Sequence, residues 1–264
     1  MERVLTSEAT SDLRLPGFLI AGAPRAGTTW LYHLLDRHPE IAMAKPVRPE
    51  PKFFLNDEIY QKGLSYYAST WFAALPHGRL LGEKSTNYLE SAAAASRIAK
   101  DLPGIKLVFI LRDPVMRAWS NYRWTVMNQM EDRDFLSALQ QEERQPTILP
   151  PHLRYARPYD YFARGLYYRM LKPYFDLFPR RDILCLRYED IGGNPNELVS
   201  ALHNFLGVAV RGEDGEALGV INAASEETQM PLDARAWLVE RYAAPNKDLG
   251  RLLGEDYSTW PGGI

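Results

Sequence analysis

The sequence 18-FLIAGAPRAGTTWLYHLLDRH-38 combines a short apolar run, a glycine-bounded loop and a segment with apolar residues at helical spacing. A strand, a loop and a helix in this order are the context of a phosphate-binding loop, in which backbone amides at the start of the helix hold an anion. A nucleotide-binding loop of the Walker type would carry Lys after its second glycine. Here Thr28 and Thr29 follow Gly27, and the cation lies inside the loop as Arg25.

Two further segments repeat the alternation of strand and helix. The apolar run 106-KLVFILR-112 precedes Asp113-Pro114 and a helical segment, 115-VMRAWSNYRW-124. The run 182-DILCLRYED-190 precedes the helical segment 196-NELVSALHNFLG-207, whose last residue is a typical helix stop. The alternation predicts an α/β protein with a P-loop-like three-layer fold, in which helices flank a central parallel sheet. In the tail, 233-DARAWLVERYAAPNKDLGRLLG-254 predicts a helix, a break at Pro245 and a second helix.

Composition narrows the class of protein and of partner. A chain of 264 residues, 46% apolar and 12% aromatic, is long enough for one domain over 1–264. The net charge of -2 gives no indication of a nucleic acid or an anionic membrane as partner. One cysteine and five histidines without metal-ligand spacing predict no metal site. Because the chain has neither a signal-peptide core nor an apolar run approaching ~18 residues, we expect a cytoplasmic protein without a membrane span.

The region from 127 to 158 is polar and interrupted by prolines. This composition predicts an insertion that is helical in part. Such an insertion can be a lid that faces the substrate, or it can be a solvated connector, and the sequence leaves both interpretations open.

Candidate ligand-binding residues follow two of the predicted strands. Ligands of open parallel sheets bind at the carboxyl ends of the strands. Arg25 and Thr28 lie at the end of one strand, Arg112 lies at the end of another, and Ser120 is two turns into the next helix. Each feature alone could be an ordinary turn or a surface ion pair, but together they predict two anion pockets.

The segments 24-PRAGTTWL-31 and 107-LVFILRDPVMRAWSNY-122 together resemble the two signature segments of sulfotransferases that use 3′-phosphoadenosine 5′-phosphosulfate (PAPS). The resemblance implies that the first loop holds the 5′-phosphosulfate and that Arg112 and Ser120 hold the 3′-phosphate. No magnesium-bridged phosphate pair then has to be bound, so a Walker lysine, which would contact such phosphates, is not required. The residues implied in the first loop are Arg25, Ala26, Gly27, Thr28, Thr29 and Trp30, and the candidate adenine platforms are Trp30, Trp119 and Trp124.

Other segments narrow the resemblance to the heparan sulfate glucosaminyl N- and 3-O-sulfotransferases and their bacterial relatives. Among them are 49-PEPKFFLND-57, 82-GEKSTNYLE-90 and 165-GLYYRMLKPYFDLFP-179. The similarity implies that Glu50 is the catalytic base, that Lys84 lies near the transferred sulfo group and that Arg25 stabilises the charge of the leaving phosphate.

Each of these roles has an ordinary alternative. Glu50 and Lys52 could belong to a solvated charged loop, and Lys84 could form a surface ion pair with Glu83.

One segment departs from the family pattern. Where the family has a basic, glycine-containing loop over the 3′-phosphate and adenine, this chain has 223-AASEETQMPLD-233, without Lys or Arg. Either Thr228 and Gln229 contact the nucleotide through neutral hydrogen bonds, or the loop binds elsewhere.

The acceptor is predicted only by class. A polyanionic acceptor would need a cleft rich in Lys and Arg, whereas this chain is mildly acidic, which favours a small glycan, a glycolipid or a secondary metabolite. Transfer to oxygen or to nitrogen stays open, as does the oligomeric state. Two other functions are kept as alternatives: a P-loop small-molecule kinase and a non-catalytic nucleotide-binding protein.

Overall fold

A central sheet of five parallel strands organises the protein in the computed structural model, which describes residues 13–144, 156–211, 229–257 and 260. Its strand order is β2-β3-β1-β4-β5, and every pair of neighbouring strands is parallel. The strands are β1 Phe18–Gly22, β2 Ile41–Met43, β3 Leu80–Lys84, β4 Lys106–Leu111 and β5 Ile183–Arg187. The predicted fold class is therefore confirmed.

Helices cover both faces of the sheet. In the described part of the chain they are α1 Thr28–Asp36, α2 Asp57–Tyr60, α3 Gly63–Trp71, α4 Ala92–Asp101, α5 Pro114–Met127, α6 Phe135–Arg144, α7 Tyr167–Leu177, α8 Asp190–Gly193, α9 Pro195–Leu206 and α10 Leu232–Leu253. Short 3₁₀ turns occupy Tyr88–Glu90, Ala163–Gly165 and Arg180–Asp182. None of these helices combines the length and the apolar character that crossing a bilayer requires.

The sequence signals at the helix ends act as predicted. Asp113 accepts a hydrogen bond from the Val115 amide at 2.9 Å, and Pro114 occupies the first position of α5, where its missing N–H costs nothing. Gly207 ends α9 in a left-handed conformation with φ 77°. These local caps explain why β4–α5 and α9 could be located from sequence.

The strands alternate their side chains between two apolar layers. Leu107, Phe109 and Leu111 of β4 face a cluster that includes residues of α3, α4 and α7, whereas Val108 and Ile110 face α1 and α9. A third cluster joins α5, α6 and the first half of α10. Because β1 and β4 are buried on both sides, their carboxyl ends form a rigid edge for a site.

The predicted break at Pro245 is wrong, because α10 runs continuously through it. Proline removes one backbone donor, but the helix buries residues on both sides of that position, among them Leu238, Tyr242 and Leu249. The carboxyl-terminal half packs in the cluster that contains Leu171 and Tyr174 of α7, so burial outweighs the lost hydrogen bond.

The region 127–158 contains the predicted helical part as α6. Phe135, Ala138 and Leu139 of this helix are buried in the third cluster, so this part is anchored rather than wholly solvated. Residues 145–155 lie outside the described ranges.

Truncating Phe109 should greatly lower the stability of the fold. Its side chain is fully buried, and its ring centroid lies 5.0 Å from that of Tyr174. We expect Phe109→Ala to lower the free energy of unfolding in urea by about 3–5 kcal/mol, through lost burial and the resulting cavity. The control Leu177→Ala, at a residue that is 46% exposed, should change it by less than about 0.5 kcal/mol. Equal effects would contradict the assigned core.

Candidate active site

The loop between β1 and α1 forms a cradle for an anion. Gly27 precedes α1 in a left-handed conformation with φ 87°, and no side chain caps the helix. A Cβ atom at Gly27 would lie 2.9 Å from both Tyr188 Cδ2 and Ile191 Cδ1, so the position needs glycine. The first-turn amides of α1, including those of Thr28 and Thr29, point out of this helix end, where anions bind.

Arg112 links this cradle to the end of β4. Its Nη1 donates to the Arg25 carbonyl at 3.4 Å, and its guanidinium stacks over the Tyr188 ring at 4.5 Å. Tyr167 donates from its hydroxyl to the Arg112 carbonyl at 2.9 Å, and Arg25 Nη2 donates to the Ser120 carbonyl at 3.1 Å. The structure therefore brings the two predicted anion loops together.

The electrostatics of Arg25 indicate a concentration of positive charge. Burial of part of its side chain and the charges of neighbouring guanidinium groups lower the pKa of Arg25 to about 10. Those neighbours are Arg112, Arg164, Arg117 and Arg48. A cation surrounded by like charges favours a bound anion, because an anion removes the mutual repulsion.

Glu50 and Lys84 form a buried ion pair beside this cluster. The side chain of Lys84 is 3% exposed and that of Glu50 is 11% exposed, and Lys84 Nζ donates to Glu50 Oε1. The Thr86 hydroxyl and amide donate to Glu50 Oε2 at 3.2 and 3.3 Å. The solvated-loop alternative for Glu50 and the surface pairing of Lys84 with Glu83 are thus both wrong.

Lys52 extends the ion pair toward the arginines. Its Nζ lies 3.9 Å from Glu50 Oε2, and its backbone is left-handed with φ 50°. Desolvation lowers the pKa of Lys52, opposed by Glu50 and assisted by Lys84 and Arg164. Arg164 acts on Lys52 and Arg25 alike, so both halves of the site share one electrostatic environment.

Arg164 and Tyr188 are site residues that the sequence reasoning missed. Arg164 is buried, pairs with Glu90 at 2.5 Å and donates to Asn121 Oδ1 at 3.1 Å. Its partners lie 74 and 43 positions away, so no local spacing reveals the contact. Tyr188 had one signal, its place directly after the β5 strand pattern.

A second carboxyl group, that of Glu83, lies fully buried next to Lys84 along β3. Burial raises the pKa of Glu83 to about 7, against the opposing effect of the hydroxyls of Ser85, Tyr67 and Tyr88. The charge of Glu50 raises it further. The protonation state of this carboxyl group therefore changes near neutral pH.

Of the three candidate adenine platforms, Trp124 lies beside the site cation Arg25. The Arg25 guanidinium is 5.9 Å from the Trp124 ring centroid. Trp30 is 3% exposed and packs in the core with α9, so its ring offers no face to a ligand. Trp119 stacks on Tyr122.

The predicted closing loop is only partly visible. Gln229 is exposed just before α10, and Thr228 lies outside the described residues. In the described ranges, the structure also brings together no group of three or more His, Cys, Asp or Glu side chains that could hold a metal ion.

Comparison with known proteins decides the family. A family model described as the sulfotransferase domain matches residues 15–227, which include the cradle, the Glu50–Lys84 pair and Arg112. The chain belongs to the sulfotransferase domain family. The predicted resemblance is thereby confirmed.

Relatives of this sulfotransferase chain include enzymes named for heparan sulfate. It is 29% identical over 195 residues to mouse heparan sulfate glucosamine 3-O-sulfotransferase 3A1, covering 74% of this chain and 46% of the relative. It is 28% identical over 292 residues to human bifunctional heparan sulfate N-deacetylase/N-sulfotransferase 3, covering 97% of this chain and 32% of the relative. The chain thus spans less than half the length of either protein.

A solved bacterial structure has the same fold over nearly its whole length. The sulfotransferase from Alicyclobacillus acidocaldarius is 27% identical to this chain, with a TM-score of 0.74, and the match covers 94% of this chain and 99% of that one.

The raised pKa of Glu83 predicts that the stability of this sulfotransferase domain depends on pH. A group whose pKa is raised by folding contributes stability that is complete below its unfolded-state pKa and is lost as the pH rises through the folded-state value. We expect the free energy of unfolding to lose on the order of 1–3 kcal/mol from this group between about pH 4.5 and pH 7. Urea melts of Glu83→Gln should lack that loss, whereas the exposed control Glu58→Gln should retain it. An identical pH slope in Glu83→Gln would contradict the raised pKa.

Proposed function

We propose that the protein transfers the sulfo group of PAPS to a hydroxyl or an amine of a small acceptor. The observation that carries the proposal is the arginine cluster around Arg25, placed at the same sheet edge as the buried Glu50–Lys84 pair. The first feature suits a nucleotide with separate phosphate groups, and the second suits removal of a proton beside a departing anion.

The residues fit PAPS on two observations. The glycine cradle of Gly27 lies beside Arg25, whose pKa is lowered by the charges of four other arginines, and Arg112 supplies a second cationic position at the end of β4. Arg25 and the first-turn amides of α1 would hold the 5′-phosphosulfate, and Arg112 with Ser120 would hold the 3′-phosphate. When bound, PAPS supplies a sulfo group that is activated by its bond to a phosphate and leaves PAP behind.

The chain's own residues supply the proton transfer and the charge. Glu50 would take the proton of the acceptor hydroxyl or amine as the acceptor atom bonds to sulfur and the sulfur–oxygen bond to the phosphate breaks. The charge of Lys84 would offset the repulsion between the Glu50 carboxylate and the anionic cofactor. Together with Arg25, Lys84 would stabilise the charge that develops on the leaving oxygen. Arg25 acts through charge alone, since a guanidinium does not give up its proton.

The geometry gives less support to a kinase. The acidic residue at the end of β4 is Asp113, which is buried, accepts a hydrogen bond from Val115 and begins α5. Burial and the charge of Glu189 raise the pKa of Asp113 to about 7, which makes it a poor ligand for magnesium. The acidic residues 226–227, which motivated a non-catalytic alternative, lie outside the described ranges.

The acceptor we propose is a small glycan, a glycolipid or a secondary metabolite. Residues 156–158, at the end of the insertion, would border its pocket, because Arg164 Nη1 donates to the carbonyls of Ala156 and Arg157 at 3.0 and 3.3 Å and lies within electrostatic range of Arg25. This contact ties one end of the segment to the site.

The function is tested by an acceptor screen with radiolabelled PAPS. The panel should include amino sugar glycosides, a glycolipid, phenols and an unsulfated heparan backbone polymer. We expect label on a small acceptor. Phosphate transfer from γ-labelled ATP without any sulfo transfer would contradict the proposal and favour the kinase.

Arg112 provides a test of the cofactor contacts. We expect Arg112→Ala to weaken PAP binding, measured by calorimetry, by about 1.5–3 kcal/mol, the value of a hydrogen bond to a charged group. Arg79→Ala, at an exposed arginine before the amino end of β3, is the control and should leave PAP affinity unchanged. If both variants bind PAP equally well, Arg112 does not hold a phosphate.

Glu50 provides a test of the base. Glu50→Gln keeps the shape but removes the proton acceptor, so we expect turnover to fall by about 10²–10⁴ while PAP binds at least as tightly as to the parent. The exposed control Glu58→Gln should turn over normally. A decrease of less than about tenfold in Glu50→Gln would mean that the base is another group.

A further inference from the structure

We propose that Glu83 is a positioning residue that holds the base loop, residues 50–54, in place. The inference rests on the proposed role of Glu50. Glu83 is fully buried on β3, opposite Leu19 of β1, and its side chain contacts neither cofactor nor acceptor in the mechanism above. Tyr67 donates a hydrogen bond to Glu83 Oε2. The other carboxyl oxygen of Glu83, Oε1, is buried and has no hydrogen-bond partner among the described residues.

Two residues that follow Glu83 in the chain hold the base loop through their hydroxyls. Ser85 Oγ accepts a hydrogen bond from the Lys52 amide at 2.8 Å, and the Tyr88 hydroxyl accepts one from the Phe54 amide at 3.4 Å. A hydroxyl has one proton and two lone pairs. The lone pairs of Ser85 and Tyr88 thus satisfy two backbone donors of the base loop.

The loop needs this support because of its conformation. Lys52 has φ 50°, a backbone conformation that residues other than glycine adopt at a cost in free energy. The surrounding structure must therefore hold Lys52 in this conformation. Phe53, the next residue, stacks on the Tyr67 ring with centroids 4.4 Å apart. Glu83 thereby holds the residues that follow Glu50 through the Tyr67 hydroxyl and the stack of Tyr67 on Phe53.

Stability alone gives little reason for an acid at this position. A carboxyl group buried in an apolar cluster loses its hydration, and an apolar or amide side chain of similar size would be less costly. The residues after Glu83 contact the base loop. Lys84 and Thr86 bind the Glu50 carboxylate, and Ser85 binds the Lys52 amide. The buried acid directly precedes these contacts in the chain, and it also fixes Tyr67, which packs on the same loop.

A double-mutant cycle separates positioning from general packing. Turnover would be measured as sulfo transfer from PAPS to para-nitrophenyl glucosaminide in the parent, Glu83→Gln, Glu50→Gln and the double variant, with PAP affinity measured by calorimetry. We expect Glu83→Gln to lower turnover by about tenfold to a hundredfold in the parent while PAP affinity changes less than about twofold. In the Glu50→Gln background, Glu83→Gln should lower turnover no further, because the group it orients is already lost.

The opposite result is equally distinct. The same fold decrease in both backgrounds, or an equal loss of PAP affinity, would mean that Glu83 is only structural. If Glu83→Gln does not fold, Tyr67→Phe takes its place in the same cycle, because it removes the hydroxyl that donates to Glu83 but keeps the ring that stacks on Phe53. A smaller decrease of about threefold to tenfold is then expected in the parent alone. Absence of sulfo transfer by the parent to this or any other acceptor would instead overturn the proposed function and this assignment with it.

Discussion

The ion pair between Glu50 and Lys84 is the contact on which the arrangement of the site depends. Removing two charges from water is expensive, and the attraction between them offsets that cost only when further hydrogen bonds complete the geometry. Here the Thr86 hydroxyl and amide supply those bonds to Glu50. The pair fixes a loop residue against the end of a central strand, so the carboxylate is held by the most rigid part of the protein.

The same pair resolves an electrostatic conflict. A carboxylate beside an anionic cofactor would repel it, yet a proton acceptor has to lie close to the transferred group. Lys84 neutralises Glu50 locally, and Lys52 lies 3.9 Å from the other carboxylate oxygen. Around Arg25, by contrast, positive charge accumulates, so the site combines a cationic pocket with a neutralised carboxylate.

Sequence patterns predicted the parts of the fold that depend on local chemistry. The β1 loop and α1, the start of α5 at Pro114, and the Gly207 stop all follow from residues that are near one another in the chain. The break at Pro245 was predicted wrongly, because tertiary packing of α10 overrides the local preference of proline.

The site was predictable only where a motif carried it. Glu50 and Lys84 were proposed from the resemblance, since nothing in their spacing shows that residues 34 positions apart form a buried pair. Arg164 and Tyr188 were missed because their roles depend on how the α5–α7 region and β5 meet the cradle. Trp30 follows the loop directly, but its position on the inner face of α1 places its ring in the core.

The central claim is that this cationic edge binds a nucleotide through arginines without a magnesium bridge. Calorimetric titration of the protein with PAP in EDTA, compared with a titration with ATP and magnesium, tests it most directly. The account predicts that PAP binds in EDTA with an affinity that added magnesium does not change, and that ATP with magnesium binds more weakly. Loss of PAP binding in EDTA, or tighter binding of ATP with magnesium, would contradict it.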